Sequence, residues 1–146
     1  MKKWLLLTLL VCACLGQKSQ FTVTDMTFCT SEPSDRAYDR QPDSVYSPGD
    51  IVWMYLEVFK FDYTETDSGY TAVFTVSLQV YNTQGGSVRS GTHPMETSFK
   101  GEPVYTWFKF WIDSTDLPPG VYTVELTITD TLSGDSAVTE GVFTID

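Results

Sequence analysis

The chain has 146 residues, 42% of them hydrophobic, which is enough for one ordinary core and too little for two comfortable domains. Nineteen acidic residues against nine basic ones give a net charge of −10. A surface of that sign repels nucleic acid and anionic lipid headgroups, so nucleic-acid binding is excluded.

Met1-Lys2-Lys3 is a basic start, Trp4 to Val11 is an apolar run interrupted by a single Thr, and Cys12-Ala13-Cys14 closes it with small residues and a thiol. This is the pattern of an export signal over residues 1–13, too short to span a bilayer as a helix. Val11-Cys12-Ala13-Cys14 further resembles the lipobox of prokaryotic lipoproteins, although Cys12 is an unusual occupant of its small-residue position. The resemblance implies that Cys14 is lipidated and becomes the mature N-terminus, which would make the protein an exported, membrane-anchored lipoprotein at the cell envelope or cell surface. Ordinary secretion with cleavage near Gly16 is the other reading of the same residues. With Cys14 as anchor, residues 14–20 form a tether whose six extended residues reach about 20 Å, so the domain would sit against the membrane. Loss of Lys2 and Lys3 with the leader leaves seven basic residues against nineteen acidic, a net charge of −12.

Residues 21–146 read as one domain of seven strands. Phe21 to Phe28 is the first, and the switch from Phe21 and Val23 to Met26 and Phe28 predicts a bulge or a change of sheet near Asp25. Thr30 to Asp50 is polar and punctuated by Pro33, Pro42 and Pro48, and reads as a long loop. Asp50 to Phe61 is the second strand, with Val52, Met54, Leu56 and Val58 on one face and Trp53, Tyr55, Glu57 and Phe59 on the other. After an acidic turn, Tyr70 to Tyr81 alternates cleanly, with Phe74, Val76, Leu78 and Val80 inward. Ser87 to Gly91 reads as a short edge strand and Thr92 to Glu102 as a second long loop. Pro103 to Asp113 is the fifth strand, with Val104, Phe108, Phe110 and Ile112 toward the core and Tyr105, Trp107, Lys109 and Trp111 away from it. Val121 to Thr131 is the sixth and Ser136 to Ile145 the seventh, in which Gly141 marks an expected bulge between inward Val138 and inward Phe143. Seven strands with turn signals and no helical period give an all-β fold.

The stretch from Asp116 to Asp130 carries the strongest fold signal. Pro118, Pro119 and Gly120 make a corner, and Tyr122, Val124, Leu126 and Ile128 then alternate with Thr123, Glu125, Thr127 and Thr129. A Tyr two residues before a core position at the start of the penultimate strand resembles the tyrosine corner of immunoglobulin-like and fibronectin-type-III-like domains of prokaryotic surface proteins. That resemblance covers the last hundred residues or so. It implies a seven-stranded antiparallel immunoglobulin-like sandwich in which the Tyr122 hydroxyl bonds to upstream backbone. Val124 stands where the second core Cys of antibody domains would be, so Cys29 has no disulfide partner and is expected to be a buried small hydrophobe.

The catalytic inventory is poor. His93 is the sole imidazole, it precedes Pro94, and neither a Gly-x-Ser-x-Gly elbow nor a His-rich metal spacing accompanies it. Asp35, Asp39, Asp43, Asp62, Glu65 and Asp67 offer the oxygen ligands calcium takes, but no EF-hand spacing; dispersed carboxylates usually serve solubility. The expectation is therefore a protein that is not an enzyme, with no cofactor and no metal.

The aromatic stripes carry more. In the immunoglobulin-like topology the second and fifth strands are neighbours, which puts Trp53, Tyr55, Phe59, Tyr105, Trp107 and Trp111 on one outer face. An exposed patch of that size needs a cover. Three readings stay open: the loop Thr30 to Asp50 folds over it, another protein or another copy of the chain binds it, or its rings form a carbohydrate platform. The candidate binding residues are Trp53, Tyr55, Tyr105, Trp107 and Trp111. The leading expectation is a membrane-anchored interaction or assembly module, with a carbohydrate-binding module as the alternative.

Overall fold

A computed structural model describes residues 20–146, and the leader, the lipobox and Cys14 lie outside the described residues. The described chain is all-β: β1 (Thr22–Val23), β2 (Thr27–Cys29), β3 (Val45–Tyr46), β4 (Ile51–Phe59), β5 (Thr64–Thr66), β6 (Gly69–Tyr81), β7 (Ser87–Phe99), β8 (Tyr105–Asp113), β9 (Gly120–Asp130) and β10 (Ser136–Ile145), with one 3-10 turn at Pro42–Ser44. Ten strands thus replace the seven expected.

They form two sheets. In the smaller, β8 pairs with β4 along its whole length, so β1 and β2 share the other edge of β4. Between the pairs Val23 with Val58 and Thr27 with Tyr55, four residues advance on one side and three on the other. That single extra residue is the bulge expected near Asp25. It lets Phe21, Val23, Met26 and Phe28 all reach the core. In the larger sheet the order is β3, β10, β9, β6, with β7 on the far edge of β6 and β5 continuing the line of β9. Three strands across therefore face five. Phe28 meets Phe143 at 5.9 Å between ring centroids, and Phe108 meets Phe74 at 5.3 Å, which sets β2 over β10 and β8 over β6.

The core is filled by the alternation that the sequence displays. Val52, Met54, Leu56 and Val58 of β4 close on Val124, Leu126 and Ile128 of β9, and on Phe74, Val76 and Val80 of β6. Tyr122 is buried and donates its hydroxyl to the Pro118 carbonyl at 2.5 Å, closing the corner. Cys29 is a free, fully buried thiol, and burial pushes its pKa up. Asp130, also buried, accepts backbone N–H groups from Asp62 at 2.7 Å and Leu132 at 3.0 Å, tying the β9–β10 turn to the segment after β4.

Four sequence expectations need correction. The edge strand is not short: β7 runs through the segment 92–99 that was expected to be loop, pairing with β6 from Ser87 to Phe99. Pro94 is tolerated there because the strand has a neighbour on one side only. Residues 30–50 are not one loop either, since β3 joins β10 in parallel and Tyr46 enters the core. Val104 precedes β8 and is 78% exposed. Gly141 is not a bulge: β10 pairs with β9 without a slip, Thr139, Phe143 and Ile145 face inward, and Val138 faces out. The glycine is needed for space, because a Cβ there would lie 2.8 Å from the Phe28 ring.

Candidate functional site

Antiparallel pairing puts directly opposite residues on the same face. Trp53 opposes Trp111, Tyr55 opposes Lys109, Glu57 opposes Trp107 and Phe59 opposes Tyr105, so the five candidate binding residues share the outer face of the smaller sheet. Trp53 and Trp111 lie 5.9 Å apart, Tyr55 and Trp107 stack at 5.9 Å, and Phe59 stacks on Tyr105 at 6.0 Å.

A lobe covers half of this face. From β2 the chain runs out and back, with Thr30 and Arg40 flanking a return held by Thr30 N–H to Asp39 and closed by a tight turn between Ser34 and Ala37. Arg36, at the tip with φ 52°, makes the decisive contacts. Its guanidinium grips the Glu57 carboxylate at 2.9 and 3.3 Å and lies 3.8 Å from the centre of the Tyr105 ring. Its backbone N–H donates to the Tyr55 hydroxyl at 3.1 Å, and that hydroxyl donates to Glu57 at 2.9 Å. The Tyr105 hydroxyl donates to Asp35 at 2.8 Å, Lys109 pairs with Glu32, and Tyr38 lies over Tyr55 at 4.6 Å. The consequences show in the ionisation of these groups. The Arg36 hydrogen bonds hold the Glu57 carboxyl below its ordinary value, burial pushes Tyr55 up to about 12, and the Asp35 bond raises Tyr105.

Tyr55 is accordingly only 3% exposed and has no surface to offer a partner, and the Tyr105 hydroxyl and ring are both engaged. Trp53 and Trp107 are half-buried. Trp111 is 61% exposed, the open end of the face.

Trp111 also stands at the rim of a cleft of about 700 Å³ between β7 and β8. Its floor is Val76, Leu78 and Met95 from the larger sheet, with Phe110 and Ile112 from the smaller. The cleft exists because three strands face five: β8 lies over β6, leaving β7 overhanging with its inner face uncovered from Arg89 to His93, while Met95 and Phe99 further along pack against the core. Arg89, Gly91 and His93 oppose Val80, Leu78 and Val76, so these three belong to the inward side of β7. Gly91 and His93 at inward positions leave no apolar alternation beyond Ser87 to Gly91, so the rest of β7 reads as loop in the sequence. Asp113 and Asp116 complete the opposite wall, together with Lys109, whose ammonium is paired with Glu32. No group of three or more His, Cys, Asp or Glu among the described residues is placed to hold a metal ion, and no helix among them is long and apolar enough to cross a membrane.

No family model and no curated protein matches the chain. Two solved structures that match are a family 123 glycoside hydrolase from Clostridium perfringens, studied for glycolipid glycan hydrolysis, and a beta-glucuronidase from Bacteroides uniformis. The first is 11% identical over 70% of this chain and 22% of the hydrolase, with a TM-score of 0.49. The second is 11% identical over 82% of this chain and 12% of the glucuronidase, with a TM-score of 0.39. This chain thus spans less than a quarter of the length of either. The expectation that the protein is not an enzyme is corrected by this finding, since both matched chains are enzymes.

Proposed function

We propose that the protein is an exported interaction module, held at the membrane by lipid on Cys14, that binds another protein or a second copy of itself through the Trp53–Trp111 end of its outer aromatic face. The observation that carries this is the unequal cover of one face: the lobe buries Tyr55 and engages the Tyr105 hydroxyl and ring, while Trp111 is left 61% exposed beside Trp53. Trp and Tyr are the usual anchors of protein interfaces, and a chain that hides half of such a stripe has the means to hide the rest. In the same reading the fold is an immunoglobulin-like sandwich. Counting β1 and β2 as one bulged strand, and β3 and β5 as short additions, leaves seven strands, and the Tyr122 to Pro118 bond supports the corner.

The anchor and the surface are tested separately. Cys14→Ala should release the protein from the membrane fraction and abolish an acyl mass shift; one acyl chain binds only marginally, so stable attachment requires two or more. Membrane retention without any acyl mass would remove the anchor. Trp111→Ala should abolish concentration-dependent mass in sedimentation and site-directed crosslinking from position 53, and unchanged association would remove the surface.

A further inference from the structure

We propose that the cleft between β7 and β8 binds a neutral sugar residue, with Arg89 and His93 donating from one wall, Asp113 and Asp116 accepting on the other, and Trp111 flanking the mouth. The site is distinct from the aromatic-face contact proposed above and shares only Trp111 with it.

The walls define the ligand. Arg89 is a pure donor, whereas ionised carboxylates only accept, so a ligand lying between them must offer both capacities at close spacing. Arg89 and Asp113 feel one another across the gap: the Asp113 carboxyl is held below its ordinary value first by hydrogen bonds from Thr115, and further by the charge of Arg89. Yet they do not close on each other. The ion pairs among the described residues are Arg36 with Glu57 and Lys109 with Glu32, and the Arg89 guanidinium donates to the Val88 carbonyl. Hydroxyl groups, each a donor and an acceptor, bridge such a pair of walls.

Charge excludes the other ligand classes. An anion would meet Asp113 and Asp116 in a chain of net charge −10, and a cation would meet Arg89 and Lys109. A wholly apolar ligand would cover the floor but strip water from the charged walls without replacing it. A sugar ring matches all the parts, because its C–H face lies on apolar and aromatic surface while its hydroxyls point sideways. The volume of about 700 Å³ falls within the range of small-molecule sites. Gly91 keeps the β7 wall low: a Cβ at this position would already stand 3.3 Å from the His93 Nε2. An extended peptide, in contrast, would use the free backbone edges of β7 and β8 and would leave the two charged walls without a purpose.

The test uses the full chain in a non-glycosidic detergent, on an array of neutral oligosaccharides terminating in glucose, galactose, mannose or N-acetylglucosamine, with titration calorimetry on those retained. The expected result is binding of at least one of them, weakened by at least about tenfold in Arg89→Ala and in Asp116→Ala, as loss of a hydrogen bond to a charged group implies. Gly91→Leu should block the cleft with the same result, while Trp53→Ala should keep sugar binding. Arg89 and Asp116 lie at the rim of the fold, so both variants remain informative if Gly91→Leu fails to fold. Absence of binding to every neutral oligosaccharide at millimolar concentration would overturn the proposal. So would sugar binding indifferent to Arg89→Ala and Asp116→Ala, or capture of extended peptides in place of sugars.

Discussion

The two halves of the outer aromatic face are both built from large aromatic rings on the same two strands, and they have opposite fates. At the Glu57 end the lobe tip places a guanidinium, a backbone N–H and the Asp35 carboxylate where the rings present hydroxyls and a π-face, so cover is polar and directional as well as apolar. At the Trp53 end the rings carry no group that the lobe engages, and Trp111 stays open. The difference teaches that a stripe of Trp and Tyr does not by itself announce recognition; what decides is whether the chain supplies partners for its polar atoms.

The comparison breaks most severely at Tyr55. Tyr55→Ala should lower stability by about 3 to 5 kcal/mol, the scale for deleting a buried large aromatic, and urea denaturation would read it. A loss under about 1 kcal/mol would mean that the lobe does not seal this half in solution. A single buried hydroxyl elsewhere gives a smaller step: Tyr122→Phe should cost about 1 kcal/mol, with the circular dichroism spectrum unchanged, because it leaves the Pro118 carbonyl without its donor.

Arg36→Ala should detach the lobe without unfolding the sheets, seen as new protease cleavage between residues 30 and 40 while the remainder stays resistant. The same clamp gives a pH dependence. Glu57 has a folded pKa depressed below its ordinary value near 4.5, so its contribution is fully present above that value and is lost as pH falls through the lower, folded one. Lobe cleavage in native protein should therefore rise below about pH 4.5, and Glu57→Gln should remove this pH step. Cleavage that is flat from pH 6 to pH 3 would show that another contact holds the lobe. The smallest effect belongs to the open half: Trp111→Ala should leave stability within about 1 kcal/mol of the parent in the same urea assay.

The alternation of β4, β6 and β9 made their core faces legible in the sequence, since a two-residue period can fill only one side of a strand with Val, Leu, Phe and Met. It also made legible the shared face of Trp53, Tyr55, Tyr105, Trp107 and Trp111 and the Tyr122 corner, which depends on neighbours within four residues. The Arg36 clamp was not legible, because Arg36 and Glu57 are joined by a reversal whose geometry rests on a left-handed tip. Of β7 only the start was legible, as the short edge strand Ser87 to Gly91; its continuation to Phe99 was not, because Gly91, His93 and Pro94 interrupt any apolar alternation. Sequence alone thus determined which faces of β4, β6 and β9 leave water, because burial along a strand follows a local period. The mismatch of three strands against five decided where that burial stops, and with it where Arg89 faces Asp113 across an open cleft, because packing one sheet on another is a long-range property that no local period encodes.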